Sequence, residues 1–195
     1  MSNEPEDERT TADLLVVLDE DYRRCYEQIL LRLDEGERNE DGTVYADHEF
    51  DARQLIRTAF AYIEGATFVL KIEASFRAEE RGFDLTPQQQ HFIFEADFDI
   101  NDKGEVVERA AKISLTKNIR FAFAVFSQAS GIKNTLDVSL DWWGKLQGAI
   151  KVRDRLTHPR FPADLDVSPQ EVIATIAAKV GFDEALHALI EAGKA

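Results

Sequence analysis

Apolar residues recur at three- and four-residue steps through most of this chain, the period of helices that bury one face. From Asp13 to about Leu33 the register runs through Leu14, Val17, Leu18, Tyr22, Cys25, Ile29 and Leu33. Polar "DEGERNEDGT" follows, with two glycines, and predicts a loop. Residues 51–82 hold the longest run, in which Leu55, Ile56, Ala59, Phe60, Ile63, Thr67, Leu70 and Ala74 keep helical step. Arg81–Gly82 supplies a basic residue and a glycine in the order that ends a helix. Thr86 before Pro87 is an N-cap signal opening "LTPQQQHFIFEADF". Alternation hints at a strand only around 93–100, and "INDKGEV" reads as a turn.

The helical period resumes over 108–130, with phenylalanines at 121, 123 and 126. It returns over 135–157 through Leu136, Leu140, Trp143, Leu146, Ile150 and Leu156. Pro159 stops this helix, because the residue before a proline is pushed out of the α region. Ser168-Pro169 then caps "QEVIATIAAKV", and "DEALHALIEAG" predicts a last short helix. The pattern predicts an all-α helical bundle of about six helices. A disordered acidic tail covers 1–11, an N-terminal helix and acidic loop cover 12–50, and the bundle proper covers 51–195.

Composition agrees with a folded core: 44% of residues are apolar, and thirteen are phenylalanine. No apolar run approaches the ~18 residues of a spanning helix, so no membrane partner is expected. The start "MSNEPEDERTTAD" is acidic, unlike the basic opening of a secretory signal. One cysteine, Cys25, excludes an intrachain disulfide framework. Together these predict a cytoplasmic protein.

Charge complicates the picture. The formal net charge is −14, but residues 1–50 carry 16 acidic and 5 basic residues and hold most of it. Residues 145–160 reverse the sign: Lys145, Lys151, Arg153, Arg155 and Arg160 stand against Asp154 alone, with His158 among them. A basic island in an acidic chain points either to a helix end complementing its dipole or to an anion site.

The residue types suggest a reaction. Arginine offers a fixed fork of donors for phosphate, and histidine gives or takes a proton near neutral pH. Cleavage of RNA through its own 2′-hydroxyl needs those two capacities and neither metal nor cofactor. Arg153 and His158 are the candidates for these roles, with Asp154 orienting the imidazole. Lys151, Arg155 and Arg160 are candidate substrate contacts. A five-residue step on an ideal helix leaves Arg153 and His158 about 140° apart, so a cleft between two copies is the easier construction.

"IKVRDRLTHP" at the end of a long helix in an all-α chain resembles the HEPN superfamily, with Arg153, Asp154 and His158 on its arginine, polar and histidine positions. "RTAFAYIEG", with Glu64 inside an apolar stripe, is similar to the first helix of such proteins. The resemblance covers roughly residues 51–180. It implies a four-helix core, a homodimer, and the motif lining a cleft between protomers. It further implies a metal-independent RNA endonuclease of a toxin–antitoxin or phage-defence type, with RNA or a nucleotide as ligand and an antitoxin as partner. Other members of the superfamily bind without catalysis. Asp154 stands where asparagine is commoner. Arg160 replaces a tyrosine that some relatives carry for modification by an antitoxin, so that control is not expected.

Other features carry less. Glu64 either reaches the motif arginine as a supporting carboxylate or faces water at the edge of its stripe. Trp143 falls in the apolar register and belongs to the core, whereas Trp142 suits a dimer surface. His48, His91 and His187 have no metal-ligand spacing, and no phosphate-binding glycine loop occurs. A non-catalytic binding protein using the same cleft remains open, as does a structural role in which the basic segment fixes "FPADLDVSP" through Asp164 or Asp166. Exposure distinguishes them: a structural motif has its arginine forks buried in carboxylates, whereas a working site leaves Arg153 and His158 open to a groove, close to their symmetry mates.

Overall fold

The computed structural model describes residues 10–35 and 46–194. Residues 1–9 of the expected tail and most of the loop after the first helix lie outside the described residues, and Thr11, expected in the tail, opens the first helix. Six α-helices and one hairpin follow in order: α1 (Thr11–Glu35), α2 (Ala46–Arg81), α3 (Pro87–Ile93), β1 (Ala96–Ile100), β2 (Val106–Ala110), α4 (Leu115–Ser130), α5 (Asp141–Thr157) and α6 (Pro169–Ala192). A short 3₁₀ turn, Pro162–Leu165, links α5 to α6. No described helix is long and apolar enough to cross a membrane.

The 36-residue α2 is the spine. Its stripe of Ile56, Phe60, Ile63, Ala66, Leu70 and Ala74 is buried against Ile119, Phe123 and Phe126 of α4, Leu146 and Leu156 of α5, and Phe182 and Leu189 of α6. Each fully buried large side chain in this cluster contributes about 1.5–3 kcal/mol. Buried Thr67 sits in the stripe at no polar cost, since its hydroxyl donates to the Ile63 carbonyl at 2.7 Å. Gly82, at φ 63°, closes α2 in the left-handed region, and the Phe83 amide returns to the Ala78 carbonyl at 2.8 Å.

α1 packs on the opposite side of α2. Tyr22, Leu55 and Ala59 form a second buried cluster, joined by Val172 and Ile176 of α6. The approach is tight at Gly65, where an added Cβ would lie 2.4 Å from Leu18. Lys179 of α6 ties the three helices together. It meets Asp19 at 3.0 Å and Asp183 at 2.6 Å, and lies over the rings of Tyr22 and Tyr62. Burial and nearby carboxylates push both tyrosine hydroxyls above their usual range.

Four boundaries differ from the sequence expectation, each for a local reason. Residues 106–110 form β2 rather than opening a helix at 108, pairing antiparallel with β1 from Ala96↔Ala110 to Ile100↔Val106. α4 therefore starts at Leu115, after Ser114. α5 starts at Asp141 instead of 135, because Asp137 accepts from the Ser139 amide and holds a turn there. The two short helices expected after Ser168 are one continuous α6, and Gly181 lies inside it against the Trp142 ring. Thr86 and Ser168 both cap as expected, each with a reciprocal bond from the residue three positions on.

Candidate functional site

α5 presents its basic residues in different directions, and the structure separates them. Arg155 is consumed by the fold. Its Nη1 donates to the carbonyls of Asp164 at 2.8 Å and Asp166, and its Nη2 donates to Glu171 at 2.7 Å. Glu171 is also the capping-box acid of α6, so one side chain fixes the α5–α6 connection and the start of α6 together. The basic segment does anchor "FPADLDVSP", through the backbone carbonyls of Asp164 and Asp166 rather than their carboxylates. The Asp164 carboxylate instead accepts from the amides of Arg160 and Phe161 at 2.7 and 2.9 Å.

Two arginines of α2 complete this end of the bundle. Arg57 donates to the Leu156 carbonyl and Arg53 to the Leu165 carbonyl, each at 3.2 Å. The first bond satisfies a carbonyl that the end of α5 leaves without a helical partner, and the second ties the 3₁₀ turn to α2.

Arg153, two residues before Arg155, has the opposite fate. Its Nη2 stands 2.9 Å from Glu64 Oε1, and its Nε stands 3.3 Å from Asp154 Oδ1. Neither contact has hydrogen-bond geometry, and the buried Nε–H has no acceptor among the described residues. The guanidinium sits 5.3 Å from the centre of the Phe60 ring, a cation–π contact that adds to its two ion pairs. Glu64 thus reaches the motif arginine, and its own side chain remains half-exposed.

Asp154 lies against Arg153, and its carbonyl accepts the His158 amide at 3.0 Å. No contact between its carboxylate and the imidazole occurs. His158 caps α5 at φ −127° and ψ 57°, so the helix ends immediately before it. Its ring is exposed and makes no hydrogen bond or ion pair among the described residues. Lys151 and Arg160 are exposed as well.

Arg153 and Glu64 open onto a cleft of about 490 Å³ lined also by Leu14, Phe68, Glu95, Ile113, Leu115 and Asn118. His158 does not line it. Sequence reasoning missed the far wall of this cleft. Lys71 is fully buried, and its ammonium donates to Glu95 Oε1, to Asn118 Oδ1 at 3.0 Å and to the Phe92 carbonyl at 3.4 Å. Asn118 Nδ2 donates to the same Glu95 oxygen at 3.0 Å. The signal was present: a lysine one step past Leu70 on a buried stripe needs acceptors for all three of its N–H groups.

The two carboxylates of the cleft are driven in opposite directions. Burial raises Glu64, with Asp154 and Glu95 adding to the rise and Arg153 opposing it. Burial also pushes Glu95 upward, but the hydrogen bonds from Lys71 and Asn118 outweigh it and hold the carboxyl below its usual range. Lys71 is lowered by burial, against the pull of Glu95. The cleft therefore holds a firmly ionised acid, a reluctant one and a guanidinium paired with the reluctant one.

Trp143 is in the core, as its register requires, and Trp142 is also largely buried, flanking a shallow apolar groove with Ile173, Ile176 and Val180 of α6. Cys25 is partly buried beside Tyr22 and Leu55. Among the described residues, no group of three or more His, Cys, Asp or Glu side chains gathers for a metal ion. Comparisons with protein-family models, with curated proteins and with solved structures return no match.

Proposed function

We propose that this chain is a HEPN-like, RNA-directed protein that binds an RNA phosphate at Arg153 and acts as a metal-independent endoribonuclease with His158 as its proton-transfer group. The observation that carries the reading is Arg153 on the lining of an open cleft, ion-paired with Glu64 but without a hydrogen bond among the described residues, two residues from an arginine held in the fold by three. A guanidinium fixed by a ring face and an ion pair is placed for the bidentate contact that phosphate favours. His158 lies outside the cleft of its own chain, so catalysis requires a second copy that brings its α5 terminus to Arg153. That requirement agrees with the homodimer which the HEPN resemblance implies. An antitoxin partner and a defence role belong to the same reading. Given the acidic charge of the chain, RNA would be held locally, at the α5 end and the cleft.

One observation favours a second reading. Glu64 faces the phosphate position on Arg153, and an acid there weakens anion binding. A non-catalytic protein that holds a nucleotide, RNA end or protein partner in the same cleft accommodates this pairing more readily.

Induced expression separates the two. The nuclease reading predicts growth arrest with new RNA ends for the unaltered chain, and neither effect for Arg153→Ala or His158→Ala at equal soluble level. Intact RNA and normal growth with all three proteins, folding unchanged, supports the binding reading instead.

A further inference from the structure

The Lys71–Glu95–Asn118 cluster holds an unusual residue. Glu95 follows α3 with φ 53°, in the left-handed region that helix ends usually give to glycine or asparagine. It is the single non-glycine residue at positive φ among the described residues, and a side chain there costs about 1 kcal/mol. The chain accepts that strain and also buries the ammonium of Lys71 completely. A salt bridge that served stability alone would be a poor reason for both, because buried pairs are often no better than apolar packing.

The geometry shows what the arrangement achieves. Glu95 Oε1 accepts from both Lys71 and Asn118, which uses its two lone pairs. Oε2 has no partner among the described residues, and the carboxylate lines the same cleft as Arg153. One oxygen is clamped on the protein, which leaves the other, on a residue that lines the cleft, as the acceptor still open to a ligand. With Oε1 saturated, the group cannot accept two donors in parallel from a base edge, and it suits a single O–H or N–H donor.

We propose that Glu95 accepts a hydrogen bond from the ribose 2′-hydroxyl next to the phosphate held by Arg153, and so selects RNA over DNA. This rests on the reading of Arg153 as a phosphate site. A ribonucleotide 3′-phosphate carries an anion and a hydroxyl donor on adjacent carbons, the two groups that a cleft lined by a guanidinium and a clamped carboxylate can each take up. Lys71 and Asn118 are positioning residues, which act through Glu95 and do not touch the ligand. Glu95 serves as an acceptor and not as a base, because the bonds that clamp it also lower its affinity for a proton.

The test is titration of the full chain with adenosine 3′-monophosphate and with its 2′-deoxy counterpart, followed by calorimetry. Glu95→Gln is the informative variant. Its carbonyl keeps the inward bond from Lys71, which turns the amide N–H₂ toward the cleft, a donor in place of an acceptor. Should Glu95→Gln fail to fold with Lys71 unpaired, Lys71→Met/Glu95→Gln removes the buried cation as well and serves the same purpose. The unaltered chain is expected to prefer the ribonucleotide about tenfold, as one charge-assisted hydrogen bond allows. The Gln variant should lose that preference while binding the deoxy ligand no more weakly than the unaltered chain does, and Arg153→Ala should weaken both ligands alike. Equal binding of the two ligands by the unaltered chain, or a preference that survives Glu95→Gln, overturns the role of Glu95 and leaves the phosphate site standing. Failure of the unaltered chain to bind either ligand overturns both.

Discussion

Arg153 on α5 and Glu64 on α2 face each other at 2.9 Å across the mouth of one cleft, paired in charge but not joined by a hydrogen bond. The pair fixes where the guanidinium lies and sets Glu64 against the face on which an anion would bind. It also makes the cleft sensitive to the charge of Glu64, which burial pushes toward the neutral form.

That coupling has a sign. As pH falls through the raised folded-state pKa of Glu64, the pair loses its negative member and Arg153 is released. Affinity for a short RNA, whose phosphodiesters do not titrate in this range, should rise on mild acidification. Glu64→Gln should bind about two- to fivefold more tightly at neutral pH, the weight of a partly exposed ion pair, with the acid-side increase abolished. Anisotropy titrations across pH with both proteins check this. The stability effect follows the same direction. The folded state holds the Glu64 proton more readily than the unfolded chain, so this group's contribution to stability improves as pH falls toward the ordinary carboxyl range.

Arg153 and Arg155 should respond unequally to the same change. Arg155→Met removes bonds to two carbonyls and to Glu171, and should destabilise by about 2 kcal/mol or more. Arg153→Met should cost under about 1 kcal/mol, since it removes no hydrogen bond. Urea unfolding of the two variants measures the difference, and equal losses would contradict the division between strut and site.

Lys71→Met should leave stability within about 1 kcal/mol of the unaltered chain. Methionine fills the buried space, and Glu95, partly exposed, can take water in place of the ammonium. The same change should weaken ribonucleotide binding, because Glu95 is then no longer clamped. A large loss of thermal stability would instead make the buried cation a structural requirement.

Gly181→Ala tests the α5–α6 crossing. An added Cβ would fall 2.2 Å from Trp142 Cγ and 2.4 Å from its Cβ, atoms near the backbone that cannot swing aside. The expected cost is about 1–3 kcal/mol, or roughly 2–4 °C in Tm for each kcal/mol. Gly65→Ala meets only the end of the Leu18 side chain and should cost less. Thermal unfolding of the two variants side by side checks the order.

The long helices were legible because their buried stripes keep one register, as Leu55 to Ala74 do in α2. The hairpin was half legible: "ADFDI" alternates, but "VVERA" continues into residues that favour helix, and only pairing with β1 makes it a strand. Gly181 reads as a break in sequence, yet the helix continues because Trp142 needs a position without a side chain. In the cleft, Arg153 and Glu64 were visible from spacing and from a charge on an apolar stripe. Glu95 and Asn118 were not, since they come from separate elements and meet only through Lys71. His158 lies apart from Arg153 because α5 ends one residue before it, and no single-chain pattern shows what a second copy would add.

Purified full-length protein incubated with end-labelled RNA in excess chelator tests the central claim most directly. The account predicts cleavage that leaves 2′,3′-cyclic phosphate ends, abolished by Arg153→Ala and by His158→Ala, and partly restored when the two variants are mixed, because a mixed dimer can supply each residue from a different copy. RNA bound at the cleft but left uncut by the unaltered protein would contradict the nuclease reading, and cutting that survives loss of Arg153 would contradict the site itself.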